Sequence, residues 1–200
     1  MPRVLALFDL DGTLTSHDTM FDFLRFHFGF RRFFEGVIKL FPSLLAFKVG
    51  LMNETQAKEK LLTFFLKNLS QEKLQNMGEE YKARLSRILI PQMASVLNHQ
   101  IKSGACVAIV TASLDIWVEP WCKEIGALCL ASRSKFVNGI FTGRLEGKNC
   151  RGEVKVERIR QLVNLEDFDT ILAWGDSKSD FPMLRLATKA WYKGKPWNKS

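Results

Sequence analysis

The fold of this chain is decided by the stretch Val4-Leu5-Ala6-Leu7-Phe8-Asp9-Leu10-Asp11-Gly12-Thr13-Leu14-Thr15. Residues 4–8 form the short, continuous apolar run that is typical of a strand buried on both faces of a parallel sheet. Ligands of open α/β sheets bind beyond the carboxyl ends of the strands. We therefore expect Asp9 and Asp11 to lie where a small substrate binds, on a turn that Gly12 makes sharp.

Two carboxylates at this spacing suit phosphoryl transfer. Asp9 is the candidate nucleophile, because a carboxylate that attacks phosphorus forms an acyl phosphate and divides one difficult displacement into two easier ones. Asp11 is the candidate general acid and base, which gives a proton to the leaving oxygen and later takes one from water. An Asp-x-Asp-Gly turn also occurs in ordinary loops and in calcium sites, so the assignment depends on three further segments.

The first of these segments, residues 106–113, is another apolar strand that ends in hydroxyl and small side chains. Thr111 would hydrogen-bond a phosphate oxygen there. The backbone N–H groups of Ala112 and Ser113 would add donors, since we expect a helix to start nearby and its dipole favours an anion. A Ser or Thr that only caps a helix is the alternative explanation.

The second segment places Lys155 in residues 152–159, whose apolar spacing predicts an amphipathic helix. A lysine on such a helix is usually exposed to solvent. An aspartate nucleophile beside a phosphate dianion needs compensating positive charge, however, and a compact ammonium group supplies it. Lys155 is therefore a candidate phosphate ligand.

The third segment is an apolar strand that runs into the turn Gly175-Asp176-Ser177-Lys178-Ser179-Asp180. Asp176 and Asp9 would share a magnesium ion, which prefers hard oxygen ligands. Asp180 would orient Lys155 or support the metal ligands. The alternative is a Gly-Asp turn followed by a helix that starts with proline.

In this order the four motifs resemble those of the haloacid dehalogenase (HAD) superfamily, in its phosphoserine phosphatase-like branch. The resemblance extends from about residue 4 to about residue 190. It implies an α/β fold: a doubly wound parallel-sheet, Rossmann-like core with a helical cap inserted after the first strand. It also implies the following roles: nucleophile, Asp9; acid and base, Asp11; phosphate binding, Thr111, Ala112 and Lys155; Mg²⁺ ligands, Asp9, the Asp11 carbonyl and Asp176; support, Asp180.

On this basis residues 1–15 and 87–200 are predicted to form the catalytic core, and residues 16–86 the cap. The cap sequence is rich in phenylalanine and interleaved with basic residues, which predicts short amphipathic helices. By the resemblance, the cap closes over the site and excludes water. Its phenylalanines would either form a hydrophobic core between the cap helices or contact a lipid surface or an acyl chain.

The substrate is left open between several candidates. Asp18 matches the acidic residue that selects substrate in the branch's phosphoserine-specific members. The comparable cap stretch, residues 54–62, lacks their arginine, and its Lys58 and Lys60 cannot make a bidentate contact with a carboxylate. We therefore expect magnesium-dependent hydrolysis of a small organic or lipid-like phosphate. The alternatives are a phosphoserine phosphatase, a phosphotransferase, and a non-enzymatic phospho-accepting or lipid-surface binding module.

Composition constrains the partners less sharply. The 200 residues carry a formal net charge of +8, which favours nucleic acid, an anionic membrane surface or anionic substrates. The alternation of basic and aromatic residues near the C-terminus is better explained by an edge strand at residues 190–193 and a solvated tail, and we expect no nucleic acid. Four scattered cysteines and the lack of a signal sequence predict a cytoplasmic location. A peripheral position on the membrane is the alternative.

Overall fold

The computed structural model describes residues 3–198, and for residues 44 and 46–48 it describes the backbone alone. The predicted core residues 1–2 and 199–200 lie outside the described residues. The elements follow one another as β1 (Val4–Phe8), α1 (Thr19–Lys48), α2 (Glu54–Leu66), α3 (Gln71–Arg87), α4 (Pro91–Lys102), β2 (Cys106–Leu114), α5 (Asp115–Ile125), β3 (Leu128–Val137), β4 (Ile140–Glu146), α6 (Glu153–Leu162), β5 (Thr170–Gly175), α7 (Phe181–Leu186), β6 (Lys189–Tyr192) and β7 (Lys195–Trp197).

Within residues 3–198 the strands form one seven-stranded sheet in the order β4-β3-β2-β1-β5-β6-β7. The five inner strands are parallel, while β4 and β7 are antiparallel to their neighbours at the two edges. The predicted α/β, Rossmann-like fold is confirmed. The predicted solvated tail is wrong in part: Lys193 and Gly194, with φ of 51° and 74°, turn the chain back so that β7 pairs with β6.

The central strand β1 is buried on both faces, as its apolar run predicts. Ala6 and Phe8 belong to one hydrophobic cluster, and Leu5 and Leu7 belong to another. Because successive strand residues point to opposite faces, each cluster lies on its own side of the sheet. Helices therefore cover both faces.

A row of stacked aromatic rings crosses the sheet just before the strands end. Phe8, Trp174 and Trp191 are in register on β1, β5 and β6, and the ring centroids are 4.3 and 4.7 Å apart. Asp9, the residue that follows β1, donates its N–H to the carbonyl of Trp174 at 3.0 Å. The row holds the carboxyl ends of these strands side by side.

Helices α1–α3 are inserted between β1 and α4, and the chain enters and leaves them along adjacent paths. The N–H of Ser16 donates to the carbonyl of Ile88 at 3.2 Å, and the N–H of Ile90 donates to that of Leu14 at 2.8 Å. The division into a core and a cap at residues 15/16 and 86/87 stays a prediction.

The inserted helices share a hydrophobic core with one face of the sheet. Phe23 of α1 stacks on Trp117 of α5 at 4.8 Å and meets Tyr81 of α3 edge-on at 5.2 Å. The buried Asp22 carboxylate accepts two hydrogen bonds from Arg84, at 2.8 and 2.9 Å, and one from the Tyr81 hydroxyl at 2.9 Å. The bonds from Arg84 hold the pKa of Asp22 below its usual value.

Helix α1 is broken at Gly29, whose φ of 74° and ψ of 166° are not helical. The rings of Phe21 and Phe33 are 6.1 Å apart, whereas 12 residues of continuous helix would separate them by about 18 Å. The two parts of α1 therefore bend back towards each other. Among the described residues, no helix combines the length and the apolar character needed to cross a membrane.

Candidate active site

A cavity of about 360 Å³ opens at the carboxyl ends of the strands, between the sheet and helices α1 and α2. Its lining brings together residues that the sequence analysis singled out: Asp9, Asp11, Asp18, Thr111, Ala112, Lys155 and Asp176. Asp180 lies directly behind this lining and is 1% exposed. Three strand-end segments and helix α6, which are far apart in the sequence, thus meet at one place.

Lys155 lies between two carboxylates at the bottom of the cavity. Its ammonium group donates to Asp9 Oδ1 at 2.5 Å and to Asp180 Oδ1 at 2.6 Å, and its side chain is 2% exposed. Burial lowers the pKa of Lys155, but the charges of Asp9 and Asp180 outweigh it, so the pKa is raised above its usual value. Lys155 is therefore a buried, fixed positive charge.

Asp9 itself is poorly solvated. Burial raises the pKa of Asp9 to about 7, although the adjacent Lys155 acts in the opposite direction. Asp180 differs because the attraction and hydrogen bond of Lys155 outweigh its burial and hold its pKa below the usual value. Since Lys155 occupies Oδ1 of Asp9, the second oxygen of that carboxylate, Oδ2, is left for chemistry.

Asp180 fixes the turn that follows β5. Its Oδ2 accepts the N–H groups of Asp176 and Ser177, at 3.2 and 2.9 Å, and the Ser177 hydroxyl at 2.9 Å. Both oxygens of Asp180 are thus engaged, one by Lys155 and one by the turn. This arrangement agrees with a supporting position.

The acidic side chains at the strand ends fit a magnesium ion. Carboxylate oxygens of Asp9, Asp176 and Asp180 lie within 4.8 Å of one another. Because the oxygens of Asp180 are already bonded, Asp9 and Asp176 are the better ligands, and hard carboxylate oxygens are what magnesium prefers. Gly12, with φ of 84°, makes room for them: a Cβ there would lie 2.5 Å from Asp176 Oδ2.

Asp11 is held by a chain of hydrogen bonds that the sequence analysis missed. Its Oδ1 accepts the N–H of Thr19 at 2.7 Å, and its Oδ2 accepts the Ser113 hydroxyl at 2.6 Å. The hydroxyl groups of Thr19 and Ser113 are 2.8 Å apart, and Trp117 Nε1 donates to Thr19 Oγ1 at 3.1 Å. Because the indole N–H only donates, the hydroxyl protons point along the chain towards Asp11.

Strand β2 ends at Leu114, one residue beyond the predicted range 106–113, and α5 begins at Asp115. The N–H of Ser113 donates to Thr111 Oγ1 at 3.0 Å, so it is not a free donor for phosphate. Thr111 Oγ1 accepts that bond and keeps its own proton to donate into the cavity.

The inserted helices contribute a second lysine to the site. Lys58 of α2 is buried, and its Nζ donates to the Ala112 carbonyl at 2.7 Å and to Asn149 Oδ1 at 3.0 Å. Burial lowers the pKa of Lys58 to about 8, against the opposing charges of Asp11 and Asp18. Lys60, by contrast, is exposed and bonds Ser43. Only the folded arrangement distinguishes these two lysines.

The mouth of the cavity has a polar and an apolar side. Arg151, from the segment before α6, forms an ion pair with Glu54 at the start of α2. Asp18 is exposed and accepts the N–H groups of Met20 and Phe21 at 2.9 and 3.2 Å, so it caps α1. The apolar side is lined by Met20, Phe21, Ala57 and Leu61.

Comparison with known proteins identifies the family. A model of haloacid dehalogenase-like hydrolases matches residues 6–185. The chain belongs to the haloacid dehalogenase-like hydrolase family. Magnesium binding is typical of this family, and the buried acidic cluster agrees with it.

Individual known proteins resemble the chain over nearly its whole length. It is 34% identical over 199 residues to protein CicA of Caulobacter vibrioides, covering 96% of this chain and 88% of CicA. A solved protein with unknown function from Bordetella pertussis Tohama I has a TM-score of 0.77 and 28% identity, covering 95% of this chain and 89% of that one.

A structure of phosphoserine phosphatase described as a phospho-aspartyl intermediate analogue has a TM-score of 0.58 and 26% identity. The match covers 95% of this chain and 86% of that one. The predicted superfamily is confirmed, and the chain is an enzyme related to the phosphatases of the HAD family.

Proposed function

We propose that the protein is a magnesium-dependent phosphomonoesterase that forms an aspartyl-phosphate on Asp9. The observation that carries this proposal is the position of Lys155, which binds Asp9 and Asp180 at the bottom of a cavity that Asp11, Thr111 and Asp176 also line. A buried cation beside a buried carboxylate suits a reaction that brings a phosphate dianion to that carboxylate.

In the first step, Oδ2 of Asp9 attacks phosphorus and a new O–P bond forms. The bond between phosphorus and the leaving oxygen breaks, and Asp11 gives that oxygen a proton. Lys155 and the Thr111 hydroxyl hold the oxygens of the phosphoryl group, while Asp9 Oδ1 stays on Lys155 and keeps the carboxylate aligned. A bound magnesium ion would neutralise the charge that develops on the phosphoryl oxygens.

In the second step, Asp11 takes a proton from water and the water oxygen attacks phosphorus. The bond between phosphorus and Asp9 breaks, which releases inorganic phosphate and restores the carboxylate. The hydrogen bonds from Thr19 and Ser113 hold Asp11 in one orientation for both proton transfers. If an alcohol replaced water at this point, the same site would act as a phosphotransferase.

The proposal is tested by measuring phosphate release from an aryl phosphate, phosphoserine, sugar phosphates and lipid phosphates, with magnesium present or chelated. Magnesium-dependent release from any of them supports hydrolysis. Product carrying the phosphoryl group on an added alcohol would instead identify a transferase. A phosphorylated Asp9 that never releases phosphate would favour a phospho-accepting module.

The lining of the cavity supports two substrate classes. The apolar side, with Met20, Phe21 and Leu61, favours a lipid-like phosphate. Arg151 reaches the cavity from the core and offers an arginine where the cap stretch has none, and with Asp18 it keeps phosphoserine as the second candidate. The ranking of lipid phosphate and phosphoserine in the same panel decides between them.

Asp176→Ala is expected to weaken magnesium binding. The magnesium concentration for half-maximal rate should rise at least about tenfold, since changes outside the ligand set already alter metal affinity about 10–100-fold. The magnesium-dependent rise in melting temperature should shrink in parallel, which gives a readout independent of turnover. Asp167→Ala, which removes an exposed carboxylate outside the cavity, is the control. An unchanged magnesium titration would place the metal elsewhere.

Lys58→Met is expected to raise KM for small phosphates by about tenfold, with a smaller change in kcat, because it removes a buried positive charge that faces the cavity. The KM of the wild type should also rise as the pH passes about 8, where Lys58 loses its proton, and the variant should lack this step. Lys60→Met is the control on the same helix, since Lys60 is exposed. Equal KM values in the two variants would contradict the assignment.

A further inference from the structure

The second part of α1 carries an apolar stripe that nothing in the described chain covers. Its members are spaced by three or four residues, so they share one helix face. They are Phe30, Phe34, Ile38, Phe41 and Leu45, with exposures of 68, 53, 58, 59 and 49%. Apolar residues scattered singly over a surface are ordinary, but a continuous row of this length is not.

The opposite face of the same segment is the one that packs. Phe33 and Leu40 are partly buried against the shared core, and Gly36 lies so close to Phe65 that a Cβ there would overlap the ring. The stripe is therefore a second apolar face, turned to the outside.

The segment that carries the stripe is basic. Residues 30–43 include Arg31, Arg32 and Lys39 but only one acid, Glu35, and the whole chain has a net charge of +8. A second copy of this chain on the stripe would bring these cations towards their own counterparts. An anionic surface attracts them instead, and amphipathic helices with basic flanks bind the boundary of such bilayers.

We infer that the stripe docks the protein on an anionic lipid bilayer, with the second part of α1, after Gly29, lying in the plane of the surface. The bend at Gly29 gives this position a consequence for the cavity: Phe21 lines the cavity and contacts Phe33 at 6.1 Å on the docking segment. Because Phe33 lies on the packed face, docking would place the helix segment beside the cavity, rather than the cavity itself, on the lipid surface. The inference concerns a binding surface and stands independently of the hydrolysis that we propose.

The test is sedimentation of the full chain with vesicles of phosphatidylcholine alone or mixed with phosphatidylglycerol. We expect binding to the anionic vesicles that added salt weakens. Phe30→Ser/Phe34→Ser should lower the partition coefficient at least about tenfold, because burying one phenylalanine contributes on that order. Val137→Ser/Leu162→Ser removes two apolar side chains of similar exposure, 53 and 52%, elsewhere on the surface and should bind as the wild type does.

Three outcomes would overturn the inference. The wild type stays in the supernatant with both kinds of vesicle, or the two double variants bind equally well. Alternatively, light scattering without lipid shows a dimer that only Phe30→Ser/Phe34→Ser dissociates, which would make a second copy the occupant. Hydrolysis of an aryl phosphate by all these variants is measured alongside, so that a failure of docking is distinguished from a failure of the proposed chemistry.

Discussion

Asp9→Asn is expected to lower phosphate release by at least about 10⁴-fold while the fold is retained. An amide is not a nucleophile towards phosphorus and cannot form the acyl phosphate. The substitution leaves the volume of the side chain nearly unchanged, and the amide oxygen can still accept the hydrogen bond that Lys155 now gives to Asp9 Oδ1. The measurement is phosphate release in magnesium, together with mass spectrometry of the protein for a covalent phosphoryl group.

Asp11→Asn is the informative companion to that variant. It keeps the nucleophile but removes the acid and base, so an activated aryl phosphate should still phosphorylate Asp9 and the intermediate should persist. Turnover by Asp9→Asn at a rate similar to the wild type would defeat the assignment of the nucleophile. So would a phosphoryl group located on a different carboxylate.

Asp9→Asn is also expected to change the stability of the protein, measured without metal. Because burial raises the pKa of Asp9 to about 7, the folded protein binds a proton that the unfolded chain has already released above about pH 4. The wild type therefore loses stability as the pH rises from about 4 to about 7, and Asp9→Asn does not. At pH 8 the variant should be more stable by a few kcal/mol, since one pKa unit corresponds to about 1.4 kcal/mol. Identical pH profiles of urea unfolding would contradict this.

The sequence predicts well where the site residues lie, because each motif is local. An apolar strand followed at once by a carboxylate or a hydroxyl places that group at a strand end wherever the strand lies in the sheet. Asp9 and Asp176 follow this rule, and Thr111 lies within β2, three residues before its end. Parallel pairing of β2, β1 and β5 then brings the three ends together.

The roles that were missed depend on contacts between distant segments. Lys58 and Lys60 look alike in the sequence, and only the packing of α2 turns one into the cavity and the other to solvent. Ser113 and Trp117 are four residues apart, but their connection through Thr19 requires α1 to lie across them. No periodicity or composition encodes that crossing.

The break in α1 shows the same limit. A glycine within a long apolar helix only weakens a helix prediction, and Gly29 could have been an ordinary helical residue. Its positive φ follows from the tertiary contact between Phe21 and Phe33, which the sequence does not reveal. The phenylalanines of the cap accordingly have several environments: Phe23 and Phe65 are buried, whereas Phe30 and Phe34 are exposed.

Lys155→Met is expected to reduce kcat/KM by about 10²–10³-fold, because the phosphoryl group loses a preorganised cation. It should also reduce the free energy of unfolding by about 3 kcal/mol at neutral pH, since the substitution leaves Asp9 and Asp180 buried without their shared partner. Both carboxylates would then have raised pKa values, so the loss of stability should diminish as the pH falls towards 4. Chemical unfolding at several pH values, in chelator, measures this.

A second substitution separates the two roles of Lys155. Adding Asp180→Asn to Lys155→Met removes one of the two stranded carboxylates and should recover part of the lost stability, but the cation beside Asp9 is still missing and activity should stay low. Lys178→Met, which removes an exposed lysine from the same turn as Asp176, should change stability by less than about 0.5 kcal/mol. If the double variant regained activity together with stability, Lys155 would act only by holding the fold, and its place beside the nucleophile would have no part in catalysis.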